Sequence, residues 1–169
     1  MSETHQPIRI FCASPSELAP ERALVRSVVS RLQRRFSASA RIELTLWEDE
    51  PLSAHEDYQP QIPSTSEFDV VVGLLWTSLG HELNSRYTSP IAGGPVTGTQ
   101  FEIESAIVSA RSTGRPTVLV YRKKKDSPYD GMRLEEKEAK ISNERALSQF
   151  FVNLDNHINH ESGGSSAKH

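Results

Sequence analysis

"DVVVGLLW", residues 69–76, is an almost unbroken run of Val and Leu bounded by an Asp and a Trp. A strand with one wet face would carry a polar side chain at every second position. This one does not, so both of its faces are expected to meet apolar neighbours, as in the interior of a parallel sheet covered by helices. Three further runs read as strands: "IRIFCA" (8–13), "IELTLW" (42–47) and "TVLVY" (117–121). The segments between them must supply the cover. Between the first two runs, Val25, Val28, Val29, Leu32 and Phe36 recur at helical spacing, and Arg22, Arg26, Arg31 and Arg34 lie off that stripe. Ser14-Pro15-Ser16 signals the entry, and Pro20 is tolerated in a first turn, whose amides have no intrahelical partner.

Between the last two runs, Ile103, Ala106, Ile107 and Ala110 mark a second helix, with Gly114 placed to end it. A short helix or turn is expected within residues 55–65. Strands alternating with helices and joined by right-handed crossovers give an α/β, doubly wound fold. After Tyr121 the pattern changes. "RKKKDSPYDG" reads as a loop, a last helix is expected near 135–158 on Ala146, Leu147, Phe150, Phe151, Leu154 and Ile158, and "ESGGSSAKH" is a flexible tail. The expected organisation is a flexible N-terminus (1–7), one domain (8–158) and a tail or linker (159–169).

With 169 residues, 36% apolar and 24% charged, the composition is that of a single globular domain. A net charge of -3 gives no global attraction to nucleic acid or membrane, and Lys123-Lys124-Lys125 reads as solvated surface. The single cysteine, Cys12, sits in an apolar run and reads as a buried inert thiol; it excludes a disulfide within the chain. His157 and His160 read as a helix end rather than a metal site, and no metal is expected. The sequence shows no signal-peptide pattern and no membrane-spanning run, so a cytoplasmic location is expected.

The connection from Thr77 to Gly98 is several times the usual length for an α/β unit and contains Gly93-Gly94-Pro95. It leaves the carboxyl end of a central strand, where open α/β sheets bind ligands, so a mobile lid is expected there. It leads into "TGTQFEIESAIVSA" (97–110), which carries Glu102 and Glu104. On a helix these two point about 200° apart and cannot act as a paired acid and base. Thr99-x-x-Glu102 fits a capping box, which would give Glu102 a structural task. The alternative is a carboxylate beside the crevice, kept ionised by the helix N-terminus.

Order along the chain adds a resemblance. "IRIFCASPSELAPERALVRSVVSRLQ", then "QIPSTSEFDVVVGLLWTS", then "EIESAIVSARSTGRPTVLVY" resembles a TIR-like domain, in particular the divergent N-terminal TIR-like domains of bacterial STAND-type NTPases, over roughly residues 8–121. The resemblance implies a flavodoxin-like open parallel sheet of strand order 2-1-3-4, helices on both faces and an extra C-terminal helix. It implies NAD+ hydrolysis at the nicotinamide–ribose bond, with NAD+ as substrate and no cofactor. Glu102 falls on the catalytic glutamate of the family's E-[LI]-x-x-A helix start. It also implies head-to-tail self-association, with "EDEPLSAHEDYQPQ" in the place of the contact loop and Arg111, Arg115 and Arg122 as basic counterparts. The setting implied is bacterial antiphage defence or signalling.

The chemistry fits one carboxylate. Nicotinamide departs neutral, so no general acid is required, and the positive charge gathering on ribose is what the carboxylate stabilises. Ser14, Ser16, Thr77, Ser78 and Thr99 are candidates to orient ribose or phosphate, and Trp47 and Trp76 to stack on a base; turn, cap and core roles are the alternatives. Two other functions stay open. One is a non-enzymatic TIR-type interaction module, favoured by Gly98 standing where the family usually has Trp. The other is a nucleoside deoxyribosyltransferase-like enzyme, which also places a carboxylate in an α/β crevice.

Overall fold

The computed structural model describes residues 6–46, 64–124 and 129–162. The elements are β1 (Ile8–Ala13), a 3-10 turn (Ser16–Leu18), α1 (Ala19–Arg35), β2 (Ile42–Leu46), a second 3-10 turn (Thr65–Glu67), β3 (Val70–Leu75), α2 (Gly98–Thr113), β4 (Thr117–Arg122) and α3 (Leu134–Ser162). The four strands form one parallel sheet in the order β2-β1-β3-β4, which is an α/β, flavodoxin-like arrangement. Phe11 stands beside Thr45 on one side and Val71 on the other, and Val71 beside Val118. Trp47, the acidic stretch 48–63 and most of the expected short helix at 55–65 lie outside the described residues.

Side-chain alternation divides the sheet into two faces. Phe11, Ala13, Val71 and Leu75 join Ile103 and Ala106 of α2 and Leu147, Phe150 and Leu154 of α3 in the main core, with Phe68 and Leu79 at its ends. Cys12 and Leu46 face the other way and are fully buried on the side of α1, with Leu18 and Val29. Asp69 ties the lower end together. It exchanges backbone hydrogen bonds with Arg9 and Thr117 (2.8 Å each), its carboxylate accepts from the Arg9 amide at 2.8 Å, and it pairs with Arg115. Just before β4, at the end of α2, Gly114 takes the left-handed conformation (φ 77°) and donates to the Ala110 carbonyl, as a helix-ending glycine should.

The cover is uneven. In α1 the buried residues are Arg22 and Val29, following Leu18 of the preceding turn, while Val28, Leu32 and, just past the helix, Phe36 of the expected stripe are exposed. The reason lies in the sheet: α1 packs against β2, and no described helix covers the same face of β4. There Leu119 and Tyr121 are exposed, Tyr121 by 57%, whereas Val118 and Val120 pack against the α2 side. Helix α3 starts one residue earlier and ends four later than expected, and it docks by its second half. Arg111 donates to the His157 and Ile158 carbonyls, and Arg122 stacks on Phe151. With Arg115 paired to Asp69, all three arginines expected at an interface are engaged within the chain. Near the start of α3, Tyr129 donates to Glu144 at 2.7 Å, and the carboxylate raises the phenol above its ordinary pKa of 10.0.

Gly73 fixes how closely α2 approaches the sheet. A Cβ there would lie 2.7 Å from Ile103 Cδ1 and 3.0 Å from Cγ1, and Ile103 is fully buried. Gly73→Ala therefore overpacks the core and should destabilise the fold by about 1–3 kcal/mol. Equilibrium denaturation would measure this; an unchanged midpoint would show that α2 yields freely.

Candidate functional site

The strand order reverses between β1 and β3, and the loops leaving their carboxyl ends form the crevice where this fold class binds ligands. After β1 the chain turns at Ser14 and Pro15 into the 3-10 turn. Arg22, buried on the first turns of α1, donates to Ser14 Oγ at 3.0 Å, to the Pro15 carbonyl at 2.7 Å and to the Ser16 carbonyl at 3.4 Å. The Ser14 hydroxyl is thus buried and accepts from a guanidinium, while the Ser16 side chain is exposed. Glu17 then reaches across the crevice. Its Oε1 accepts from the amides of Thr77 and Ser78, at 3.0 and 3.1 Å, linking the β1 loop to the β3 loop.

Trp76 follows β3. Lys123 Nζ lies 4.1 Å from its ring centroid and 2.5 Å from Glu21 Oε1, so one face of the indole is covered by a paired ammonium. Beyond Ser78, Gly80 adopts φ 90°, and a Cβ on it would lie 3.0 Å from Thr99 Oγ1. That contact sets the loop against the first turn of α2. Thr99 and, one turn further, Glu102 are both buried, Glu102 to 5% exposure.

The helix starts earlier than the expected capping box requires. Thr97 is the cap, accepting from the Gln100 amide at 3.4 Å, and Gly98 is the first helical residue. Glu102 is therefore too far along to complete a box with Thr97. Glu104 has a clear structural task. It is 0% exposed, and it accepts from Ser89 Oγ (2.5 Å), the Ile91 amide (3.3 Å) and Gln100 Nε2 (2.8 Å). A buried carboxylate needs such donors.

Those bonds also hold the 77–98 connection, expected to be a mobile lid, against α2. Its apex is closed by Ser89 and Gly94 and pinned to Glu104. Its base is tied by Leu83 to Val96 (2.9 Å), Gly98 to His81 (2.9 Å) and Thr97 Oγ1 to the Leu79 carbonyl (2.5 Å). Leu79 and Val96 are buried beneath it, and Tyr87 packs edge-on against Phe101.

The structure thus joins Thr77 and Ser78 to Glu17, sets Gly80 of the same loop against Thr99 with Glu102 one helical turn further on, and holds Ser14 against Arg22. It leaves Ser16 at the surface and turns one face of Trp76 to Lys123. Trp47 lies outside the described residues. Sequence reading missed Glu17, Arg22 and Lys123. Each sits in an ordinary polar stretch, and Arg22 was set off the apolar stripe although it faces inward; only the three-dimensional pairing distinguishes them. Among the described residues, no three His, Cys, Asp or Glu side chains converge as metal ligands, and no helix is long and apolar enough to cross a membrane.

Glu104→Ala would leave three donors without their acceptor in a dry site. It should destabilise the protein by roughly 3 kcal/mol and free the loop apex. Hydrogen exchange at Ile91 and Ala92 checks this directly: unchanged protection in the variant would mean that Glu104 does not hold the loop.

Comparison of the chain with known protein families, curated proteins and solved structures finds no match.

Proposed function

We propose that the chain is a TIR-like NAD+ hydrolase that breaks the nicotinamide–ribose bond, with Glu102 as its catalytic carboxylate. The observation that carries this reading is the place of Glu102: a buried carboxylate near the start of α2, one turn from Thr99. Charged side chains are rarely buried without a structural or chemical purpose. The bond from ribose C1′ to the pyridinium nitrogen breaks with its electron pair going to nitrogen, so nicotinamide leaves neutral. Glu102 stabilises the charge left on ribose; water then adds to C1′ and releases a proton, giving ADP-ribose. Thr77, Ser78 and Thr99 would orient the ribose and phosphates, with Ser14 and Ser16 at the β1 side and Trp76 or Trp47 against a base.

The described crevice is spanned by Glu17, and one face of Trp76 is taken up by Lys123, which supports a site opened or completed by assembly. Exposed apolar side chains on α1 (Leu24, Val28, Leu32) and on β4 (Leu119, Tyr121) offer surface for self-association. Bacterial cytoplasmic defence or signalling, alone or with a STAND-type NTPase, is the setting that fits such an effector. The same closed crevice, with Gly98 in place of the family's Trp, also favours a non-enzymatic TIR-type interaction module as the second reading.

Nicotinamide release from NAD+, followed over a hundredfold range of protein concentration, tests the proposal. Specific activity should rise with concentration, and Glu102→Gln should lower it by about 10²–10³ while the fold stays intact. Absence of nicotinamide release at the highest concentration would favour the interaction module. Cleavage of free nucleosides in preference to NAD+ would indicate a deoxyribosyltransferase-like enzyme.

A further inference from the structure

We infer that the backbone amides of Thr77 and Ser78 form a subsite for a phosphate-class anion, and that Glu17 is the competitor the chain supplies for it. Two successive amides converge on one carboxylate oxygen, at 3.0 and 3.1 Å. Consecutive N–H groups aimed at one point make an anion-binding concavity. The carboxylate comes from the turn after β1 and the amides from the loop after β3, the two strands that flank the reversal in strand order. Anionic ligand groups sit at that point in doubly wound sheets.

The contact is exposed, so neither amide needs Glu17 to avoid a buried, unsatisfied donor; water would serve. What the carboxylate adds is a negative charge at the mouth of the crevice. It fills the anion position and repels a second anion. Two residues further along the same loop, Gly80 lies against Thr99 at the start of α2. This inference deepens the reading above and rests on it only for naming the pyrophosphate of NAD+ as the natural occupant. Release of Glu17, by assembly or by ligand, is then the step that admits the substrate.

The experiment is a titration of the ¹⁵N-labelled full chain with inorganic pyrophosphate, followed at the Thr77 and Ser78 amide resonances. Glu17→Ala should lower the dissociation constant at least fivefold relative to the unsubstituted chain, with the largest shifts at those two amides. Glu67→Gln removes an exposed negative charge from the 3-10 turn before β3, at the other end of that strand, and should leave the constant unchanged. A gain under fivefold for Glu17→Ala, or shifts centred elsewhere, would overturn the subsite. If Glu17→Ala disturbs the spectrum globally, the isosteric Glu17→Gln decides, with at least a twofold gain expected and any smaller one counting against it. Nicotinamide release is scored separately. Tighter pyrophosphate binding without NAD+ cleavage keeps the subsite and removes the hydrolase reading. Cleavage, with pyrophosphate binding and KM for NAD+ both unmoved by Glu17→Ala, does the reverse.

Discussion

Burial of the Glu104 carboxylate sets the arrangement of everything above the sheet. A charged group withdrawn from water must be met by donors, and here they come from Ser89, the Ile91 amide and Gln100. Meeting that need folds a long connection back onto α2, and the folded connection carries Gly80 against Thr99. The position of the crevice wall is thus a consequence of satisfying one acid. Gly73 complements this from below, since only the absence of a side chain there lets Ile103 reach the sheet and holds α2 at its height.

The parallel sheet was legible because its information is local. Val70 to Leu75 are apolar on both faces, and such a run has few alternatives to a covered strand. Gly114 was legible for the same reason: a left-handed helix end needs a residue without a Cβ. The α1 stripe was misleading, because spacing shows which side chains share a face but not whether a neighbour exists to cover them. Val28 and Leu32 have the right period, yet α1 sits over β2 and leaves them in solvent. The two glutamates show a second limit. Their separation around the helix was readable, but the capping register was set by Thr97, which bonds the Leu79 carbonyl eighteen residues away. Glu17 and Lys123 carry no local mark, since each acquires its part only through a partner remote in sequence.

The crevice combines an open-fold location with a closed local chemistry. Glu17 spans it, the Lys123–Glu21 pair lies on Trp76, and Arg22 holds Ser14 from behind. These contacts differ in depth. The Arg22 contact is buried and belongs to the framework, whereas the Glu17 contacts are exposed and are the ones that can exchange with little disturbance of the core. The arrangement separates a rigid floor from a replaceable cover, which is the physical requirement for a site that is silent in one state and competent in another.

The position of β1 between β2 and β3 also has a consequence for how the chain reaches this structure. Pairing of β1 with β2 spans one helix, and pairing of β3 with β4 spans one loop and one helix. The central pairing, Phe11 beside Val71, joins residues about 60 apart, and its register is reinforced by Asp69 only after both strands have met. By loop closure alone that segment costs only about 0.2 kcal/mol more than closing Val71 onto Val118, so chain entropy barely separates the two pairings, and the crevice lies at the seam between the β1–β2 and β3–β4 halves. The Glu17 contacts to Thr77 and Ser78 therefore cross the seam between the two halves, whereas Thr99 and Glu102 belong wholly to the β3–α2–β4 half.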